Sequence, residues 1–130
     1  MITQLYAGIL TLILLFISMD TIKARRLHKV SIGLGPNNEI ATMASAHSNF
    51  ISYVPILLLL LFFAESSQLI SKYIIHLGGL TISIGRIFHY MAFRSPKMNF
   101  KWRVIGMKLT LWPLIILGFI NIYIYLKTII

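Results

Sequence analysis

The chain has 130 residues, of which 58% are hydrophobic and 12% are charged, with a mean hydropathy of +0.84, which excludes an ordinary soluble domain and predicts an integral membrane protein. The net charge is +9, and the basic residues that give it are expected at the ends of hydrophobic segments, beside membrane lipids. Nucleic acid is not an expected partner. The absence of cysteine excludes disulfides, thiolate metal sites and cysteine nucleophiles.

The first predicted element is a membrane-spanning helix over residues 2–19. It lacks a basic leading region and a small-residue cleavage site, so we interpret it as a retained helix and not as a signal peptide. A first loop is predicted over residues 20–40, where basic side chains are followed by the turn formers Gly33, Gly35 and Pro36. The Gly-Leu-Gly in this loop has no preceding strand and no following Lys-Ser or Lys-Thr, so it is interpreted as a turn and not as a phosphate loop.

The second predicted helix covers residues 41–64 and carries polar side chains into an apolar run. Ser45, Asn49 and Ser52 are spaced i, i+4 and i+7, which places them in one stripe of a helix. Unpaired polar groups in hydrocarbon cost several kcal/mol, so this stripe is expected to face protein or a buried ligand. Pro55 predicts a kink near the middle of the helix.

Two further helices are predicted over residues 68–93 and 104–126. A short polar connection, residues 65–71, precedes the third helix, and a basic loop, 94–103, separates the last two. Pro113 predicts a kink in the fourth helix. The chain is thus predicted to be one all-α domain, 1–130, with four transmembrane helices.

The basic residues predict how the chain is oriented in the membrane. The first and third loops hold eight lysines and arginines, and the opposite side holds two, Lys72 and Lys127. By the positive-inside rule, the loops 20–40 and 94–103 are expected to be cytoplasmic, with both termini and the second loop on the other side.

Arg86 is the most informative charge, because an arginine inside an apolar helix costs about 3 kcal/mol unless it faces a polar interior. His89 and Tyr90 follow it at i+3 and i+4 on the same face. Two interpretations stay open. Arg86 is a structural residue held by carbonyls or by Asn49, or it joins the loop arginines in a pocket for a carboxylate or phosphate. These loop arginines are Arg25, Arg26, Arg94 and Arg103.

Other classes of site have little support. His47 and His89 have no acidic residue beside them in either helix, so a metal site is not expected. No acid orients a histidine for a hydrolase triad. The three acids, Asp20, Glu39 and Glu65, are all assigned to helix ends or loops, which disfavours a proton-coupled transporter.

Four ordered motifs resemble one family. Ala-Arg-Arg-Leu-His-Lys-Val-Ser at 24–31 is similar to its basic motif after the first helix. Residues 45–55 resemble Arg-Ala-His-x-Asn-x-x-Glu-Tyr-x-Pro, residues 85–89 resemble Gly-Arg-x-x-His, and 103–106 resemble Arg-x-x-Gly. The family is MAPEG, the membrane-associated proteins in eicosanoid and glutathione metabolism. The resemblance is to its short bacterial members, which are similar to microsomal glutathione transferases.

The resemblance implies a homotrimeric four-helix bundle in a bacterial inner membrane, with glutathione bound between subunits at the cytoplasmic face. It implies a catalytic role for Arg103, beside the thiol, and for Arg26. Arg25, together with Arg26, is implied to contact the ligand or the thiol. The further ligand-binding residues that the resemblance implies are Asn49, Tyr53, Arg86, His89 and Tyr90. Tyr90 lies one turn before a position where several members carry a pocket tyrosine.

Two positions depart from the family motif. Ser45 replaces an arginine that binds a carboxylate of glutathione, and Ser52 replaces a glutamate that pairs with its amino group. Each loss removes a charge-assisted bond of about 1.5 to 3 kcal/mol, so a partly degraded site is expected. The leading function is a glutathione-dependent transferase or peroxidase acting on a hydrophobic small molecule. The alternative is a non-catalytic membrane protein of the same fold that binds lipids or a partner.

Overall fold

The computed structural model describes residues 1–36, 38–95 and 97–129. They form four helices in chain order, α1 (Ile2–Leu27), α2 (Asn38–Ser66), α3 (Lys72–Arg94) and α4 (Phe100–Ile129). The expected all-α class and the count of four helices are therefore observed in the described part of the chain. α2 and α3 pack against each other, and each also packs against α1 and α4. Across the described residues, α1 and α4 do not contact one another.

α1 is eight residues longer than the apolar run indicated, because the polar segment after Met19 also forms helix. This segment, Asp-Thr-Ile-Lys-Ala-Arg-Arg-Leu, consists largely of good helix formers. The helix ends where His28 caps it and Lys29 takes a positive φ of 54°. Asp20, assigned to a loop from the sequence, therefore lies inside α1.

The other boundaries also shift. α2 continues through Pro55, and α4 continues through Pro113. α3 begins at Lys72 and not at 68, because Gln68 has a φ of 58° and Ser71 caps the helix by accepting a hydrogen bond from the backbone N–H of Tyr73. α4 begins four residues early, where Asn99 accepts a bond from the backbone N–H of Trp102.

The core lies along the line where α1, α2 and α3 meet. α2 contributes residues at alternating spacings of four and three, which is the pattern of a helix with one packed face. These residues are Phe50, Val54, Leu57, Leu61 and Ala64. Tyr6 of α1 packs its ring directly on Gly79 of α3, where any side chain would clash.

The outer surface of the bundle is apolar. Large side chains such as Leu12, Phe16, Phe63 and Phe119 are each more than half exposed. Among the described residues, α1, α2 and α4 are long and apolar enough to cross a membrane, with mean hydropathies of 2.0, 1.7 and 1.9. α3 has 23 residues and is less apolar, because it carries Arg86 and two histidines. The chain is a helical membrane protein with several candidate spans.

Candidate functional site

The polar stripe of α2 lines an open groove of about 500 Å³ on the outer surface of the chain. Its lining residues are Leu34, Ala44, Ser45, Ser48, Asn49, Ser52 and Tyr53. Ser45 and Ser52 are exposed, and each donates its hydroxyl to the carbonyl four residues back, at 2.7 Å and 2.8 Å. Within one chain these two serines are exposed in the groove, and their own helix backbone satisfies their hydroxyls. The third residue of the stripe, Asn49, contacts protein through Arg86.

Beneath the groove lies Arg86, which is 1% exposed. Its Nη1 donates to Asn49 Oδ1 at 2.7 Å, and its Nη2 donates to Thr110 Oγ1 at 2.6 Å. Thr110 in turn donates to the carbonyl of Gly106 at 2.8 Å. Met107 Sδ lies 3.9 Å from Nη2 and 3.6 Å from Asn49 Nδ2. Arg86 therefore joins α2, α3 and α4, and Asn49 is the partner that was proposed from the sequence.

The charge of Arg86 is not balanced within the described chain. The ion pairs there are His28–Glu39 and Arg94–Asp20, and neither involves Arg86. Its Nε is also buried without a hydrogen-bond partner among the described residues. A buried cation held only by neutral groups is costly, because amide and hydroxyl dipoles replace only part of its hydration. An anion near Arg86 would lower that cost.

Arg103 and His89 lie together at the end of the bundle near the start of α2. His89 is buried and its ring packs at a tilt on Phe93, with centroids 4.9 Å apart. The guanidinium of Arg103 lies over the same ring, with Cζ 5.5 Å from its centroid. Phe93 also packs with Ala46 of α2. The structure thus places Arg103 against α3, one turn of α2 from the groove residue Asn49.

Tyr90 does not face the groove. Its hydroxyl donates to Oδ2 of Asp20, and Nε of Arg94 lies 3.3 Å from the same oxygen. Arg94 Cζ also lies 6.0 Å from the centre of the Tyr90 ring. This cluster ties α1 to α3, so within one chain Tyr90 has a packing role rather than a groove position.

Arg25 and Arg26 line a different groove, at the end of α1. Arg25 Nη1 donates to the carbonyl of Gly33 at 2.9 Å, and Arg26 is exposed. The two arginines are therefore not brought together with Asn49, Tyr53 and Arg86 within a single chain.

Thr110 and Met107 are site residues that sequence reasoning missed. A usable signal is present: Arg103, Gly106, Met107 and Thr110 follow one another at i, i+3, i+4 and i+7, so they share one face of α4. Gly106 is needed on that face for a close helix crossing, and this marks the face as the one turned towards α3.

The profile of the MAPEG family matches residues 3–123, which is nearly the whole chain. The chain belongs to the MAPEG family.

Two curated relatives place it further among bacterial members. The chain is 29% identical to "Inner membrane protein YecN" of Escherichia coli strain K12 over 123 aligned residues. The aligned segment covers 95% of this chain and 92% of the relative. The protein of the same name from an Escherichia coli O6:H1 strain matches at the same identity and coverage. No solved structure matches.

Proposed function

We propose that the chain is a multi-pass inner-membrane protein that binds glutathione weakly at the α2 groove and joins the whole tripeptide, through its thiolate sulfur, to hydrophobic electrophiles. The thiol proton goes to solvent, and a leaving group on the electrophile, where there is one, is displaced as the new S–C bond forms. The observation that carries the proposal is Arg86, a buried cation without a carboxylate partner in the described chain, in contact with the groove residue Asn49. A carboxylate of the tripeptide bound in the groove supplies the missing negative charge. Membership of the MAPEG family and the name of the relative support the chemistry and the location.

The groove fits such a ligand in part. Its volume of about 500 Å³ lies in the range of small-molecule clefts, and serine, asparagine and tyrosine side chains offer neutral hydrogen bonds. Its lining contains no charged side chain, so both ends of glutathione lack charge-assisted partners from Ser45 and Ser52. Two such losses weaken binding about a hundredfold or more, at 1.4 kcal/mol per decade.

Arg103 is our candidate for the residue beside the thiol. A guanidinium near a thiol favours the charged thiolate, which is the nucleophilic form. Within one chain Arg103 rests on Phe93, so its reach to a ligand in the groove depends on how neighbouring subunits pack. We expect a homotrimer, with the ligand between subunits, and native mass spectrometry should show three chains per complex.

One observation favours the alternative, a non-catalytic protein that binds lipid or a partner. Ser45 and Ser52 satisfy their hydroxyls on their own helix, so neither needs a ligand to complete its hydrogen bonds. The two proposals differ in whether glutathione binds to the natural protein at all.

The deciding experiment is calorimetry of glutathione on the detergent-purified protein, with a thiolate absorbance scan of the same sample. The enzyme proposal expects binding in the millimolar range or tighter and a thiolate signal that Arg103→Ala removes. Lys101→Ala, which removes a nearby exposed cation, is the control and should leave the signal in place.

A double variant separates the two functions. Ser45→Arg with Ser52→Glu restores both family charges and should tighten binding about a hundredfold. If glutathione binds only to this double variant, the natural protein is not a glutathione enzyme and the binding role stands.

A further inference from the structure

Met107 of α4 lies against the buried network of Arg86 and takes part in no step of the proposed function. Its Sδ accepts a hydrogen bond from Arg86 Nη2 at 3.9 Å and one from Asn49 Nδ2 at 3.6 Å. Within the part of the chain that the structure describes, both hydrogen bonds to a methionine sulfur go to this residue. Two donors from two different helices therefore converge on one thioether.

The Met107 thioether is a poor acceptor for these donors. Its sulfur is soft and weakly polar, whereas a guanidinium forms its strongest hydrogen bonds with oxygen. The network also has a donor to spare, because Arg86 Nε is buried without a hydrogen-bond partner among the described residues. A stronger acceptor at the position of this sulfur would therefore lower the cost of burying the arginine.

Oxidation converts the Met107 thioether into such an acceptor. A sulfoxide carries a polar oxygen in place of one lone pair of the sulfur and adds no net charge. An oxygen added on the side that faces Arg86 and Asn49 lies within reach of both N–H donors. The Met107 side chain is partly exposed, so a small oxidant can reach the sulfur, and its neighbour Asn49 lines the α2 groove.

We propose that Met107 is an oxidation site, at which a hydroperoxide forms a sulfoxide that accepts hydrogen bonds from Arg86 and Asn49. The sulfur attacks the terminal oxygen of the hydroperoxide, so an S–O bond forms as the O–O bond breaks. The sulfur loses two electrons to the peroxide. The hydroperoxide proton passes to the departing oxygen, which leaves as an alcohol, or as water when the oxidant is hydrogen peroxide. Methionine sulfoxide reductases reverse the change, which makes the site a switch.

The sulfoxide affects the ligand site as well as the fold. Its oxygen supplies part of the negative charge that we expect a ligand carboxylate to bring to Arg86, so the sulfoxide and the ligand compete. This competition rests on the proposed function, whereas the oxidation site rests on the Met107 contacts alone. Methionine oxidation disrupts most cores, so a gain in stability is the distinctive result expected at this position.

The first test replaces the sulfoxide by an amide, whose oxygen is also a neutral acceptor. Met107→Gln should raise the midpoint of thermal unfolding in detergent by about 4 °C, because the new oxygen accepts from Arg86. Met43→Gln is the matched control. Met43 is also partly exposed, but its sulfur accepts no hydrogen bond within the described chain. That variant should unfold at the natural temperature or below it.

The second test treats the full chain with hydrogen peroxide. Trypsin cleaves after Arg103 and after Lys108, so Met107 is released in the peptide 104–108 and mass spectrometry measures its sulfoxide directly. Treatment should raise the unfolding midpoint of the natural protein relative to that of equally treated Met107→Leu. The leucine keeps the apolar volume and cannot be oxidised. Methionine sulfoxide reductase should cancel the difference.

Three results would overturn the proposal. The first is a Met107 that stays reduced at a peroxide concentration that oxidises the exposed Met98. The second is a loss of stability in Met107→Gln as large as in Met43→Gln. The third is the same response to peroxide in the natural protein and in Met107→Leu. If Met107→Gln does not fold, the comparison with Met107→Leu decides alone.

Glutathione calorimetry separates this proposal from the proposed function. Where the natural protein binds glutathione, Met107→Gln should weaken the binding about tenfold, as expected for the loss of one charge-assisted hydrogen bond. Unchanged affinity in a stabilised Met107→Gln refutes the competition with the ligand. Absence of glutathione binding refutes the enzyme, and the unfolding midpoints still decide the oxidation site.

Discussion

Arg86 holds the fold together and is also our candidate for contact with an anionic ligand. Its hydrogen bonds to Asn49 and Thr110 hold three helices together, yet its charge is not neutralised by any carboxylate in the described chain. Two interpretations were open from the sequence, a structural arginine held by Asn49 and a ligand-binding arginine. The structure shows the first contact and leaves room for the second, because Asn49 also lines the groove.

Asn49→Asp tests whether Arg86 carries an unbalanced charge. A carboxylate in place of the Asn49 amide should raise the stability of the protein by about 1 kcal/mol. The attraction is about 4 kcal/mol at an effective dielectric constant of 20, and the cost of burying the carboxylate offsets most of it. Thermal unfolding in detergent measures the change, and glutathione binding should fall because the new carboxylate occupies the place of the anion.

Ser48→Asp is the matched control, because it adds the same charge one residue earlier at an exposed position. It should not raise stability. If Asn49→Asp destabilises the protein as much as this control, Arg86 is already balanced and the main argument for an anionic ligand fails.

At the scale of helices, glycine determines how closely α3 and α4 approach. A Cβ on Gly106 would lie 2.6 Å from the backbone nitrogen of His89 and 2.8 Å from the carbonyl oxygen of Gly85. Backbone meets backbone at this crossing, so no side-chain rotation can relieve a clash. The crossing also sets the position of Thr110, one turn further along α4, against Arg86.

Gly106→Ala should therefore destabilise the protein by about 1 to 3 kcal/mol and also disturb the Arg86 network. Gly118→Ala in the same helix is the control, since its Cβ meets nothing within 4 Å. That change should be neutral or stabilise by up to about 1 kcal/mol through helix propensity. Far-UV circular dichroism during heating follows both, and equal behaviour of the two variants would refute the close crossing.

The four helices were predictable, because a long apolar run has few stable structures other than a membrane-spanning helix. The residues at which the helices begin and end were not predictable. α1 passes through Asp20 on a run of good helix formers, and Tyr90 and Arg94 of α3 partner the Asp20 carboxylate. That partnership is a distant contact, which has no signature in local sequence. The Arg86–Asn49 contact was foreseeable, because each side chain was polar within an apolar helix. The exposure of Ser45 and Ser52 was not foreseeable, because a hydroxyl that is bonded to its own helix backbone needs no partner from another helix.

The whole molecule is asymmetric in charge from one end to the other. Basic side chains cluster at the end formed by the close of α1 and the start of α4, and the opposite end holds Lys72 and Lys127. If α3 crosses the membrane along with the three more apolar helices, the loops after α1 and α3 lie on one side and the loop after α2 on the other. The bias in basic residues predicts that the first of these sides is cytoplasmic.

Single cysteines test this arrangement cleanly, because the natural chain contains none. Ile32→Cys and Met98→Cys, both at exposed positions, should react with an impermeant maleimide only after the inner membrane is opened. Leu69→Cys, also at an exposed position, should react in intact cells whose outer membrane is permeable to the reagent. Labelling of Met98→Cys and Leu69→Cys from the same side would show that α3 does not cross.

α1 is bound at its start, and again at Asp20 near its end, by residues that are synthesised much later. Glu65 of α2 accepts bonds from the backbone N–H groups of Ile2 and Thr3, at 2.5 Å and 2.8 Å, and Asp20 is bound by Tyr90 and Arg94 of α3. During synthesis, α1 therefore enters the membrane with its first-turn N–H groups and Asp20 still awaiting their partners. The N-terminal fastening can close only after α2 is made, and the other only after α3 emerges, so the final docking of the first helix is a late event in biogenesis.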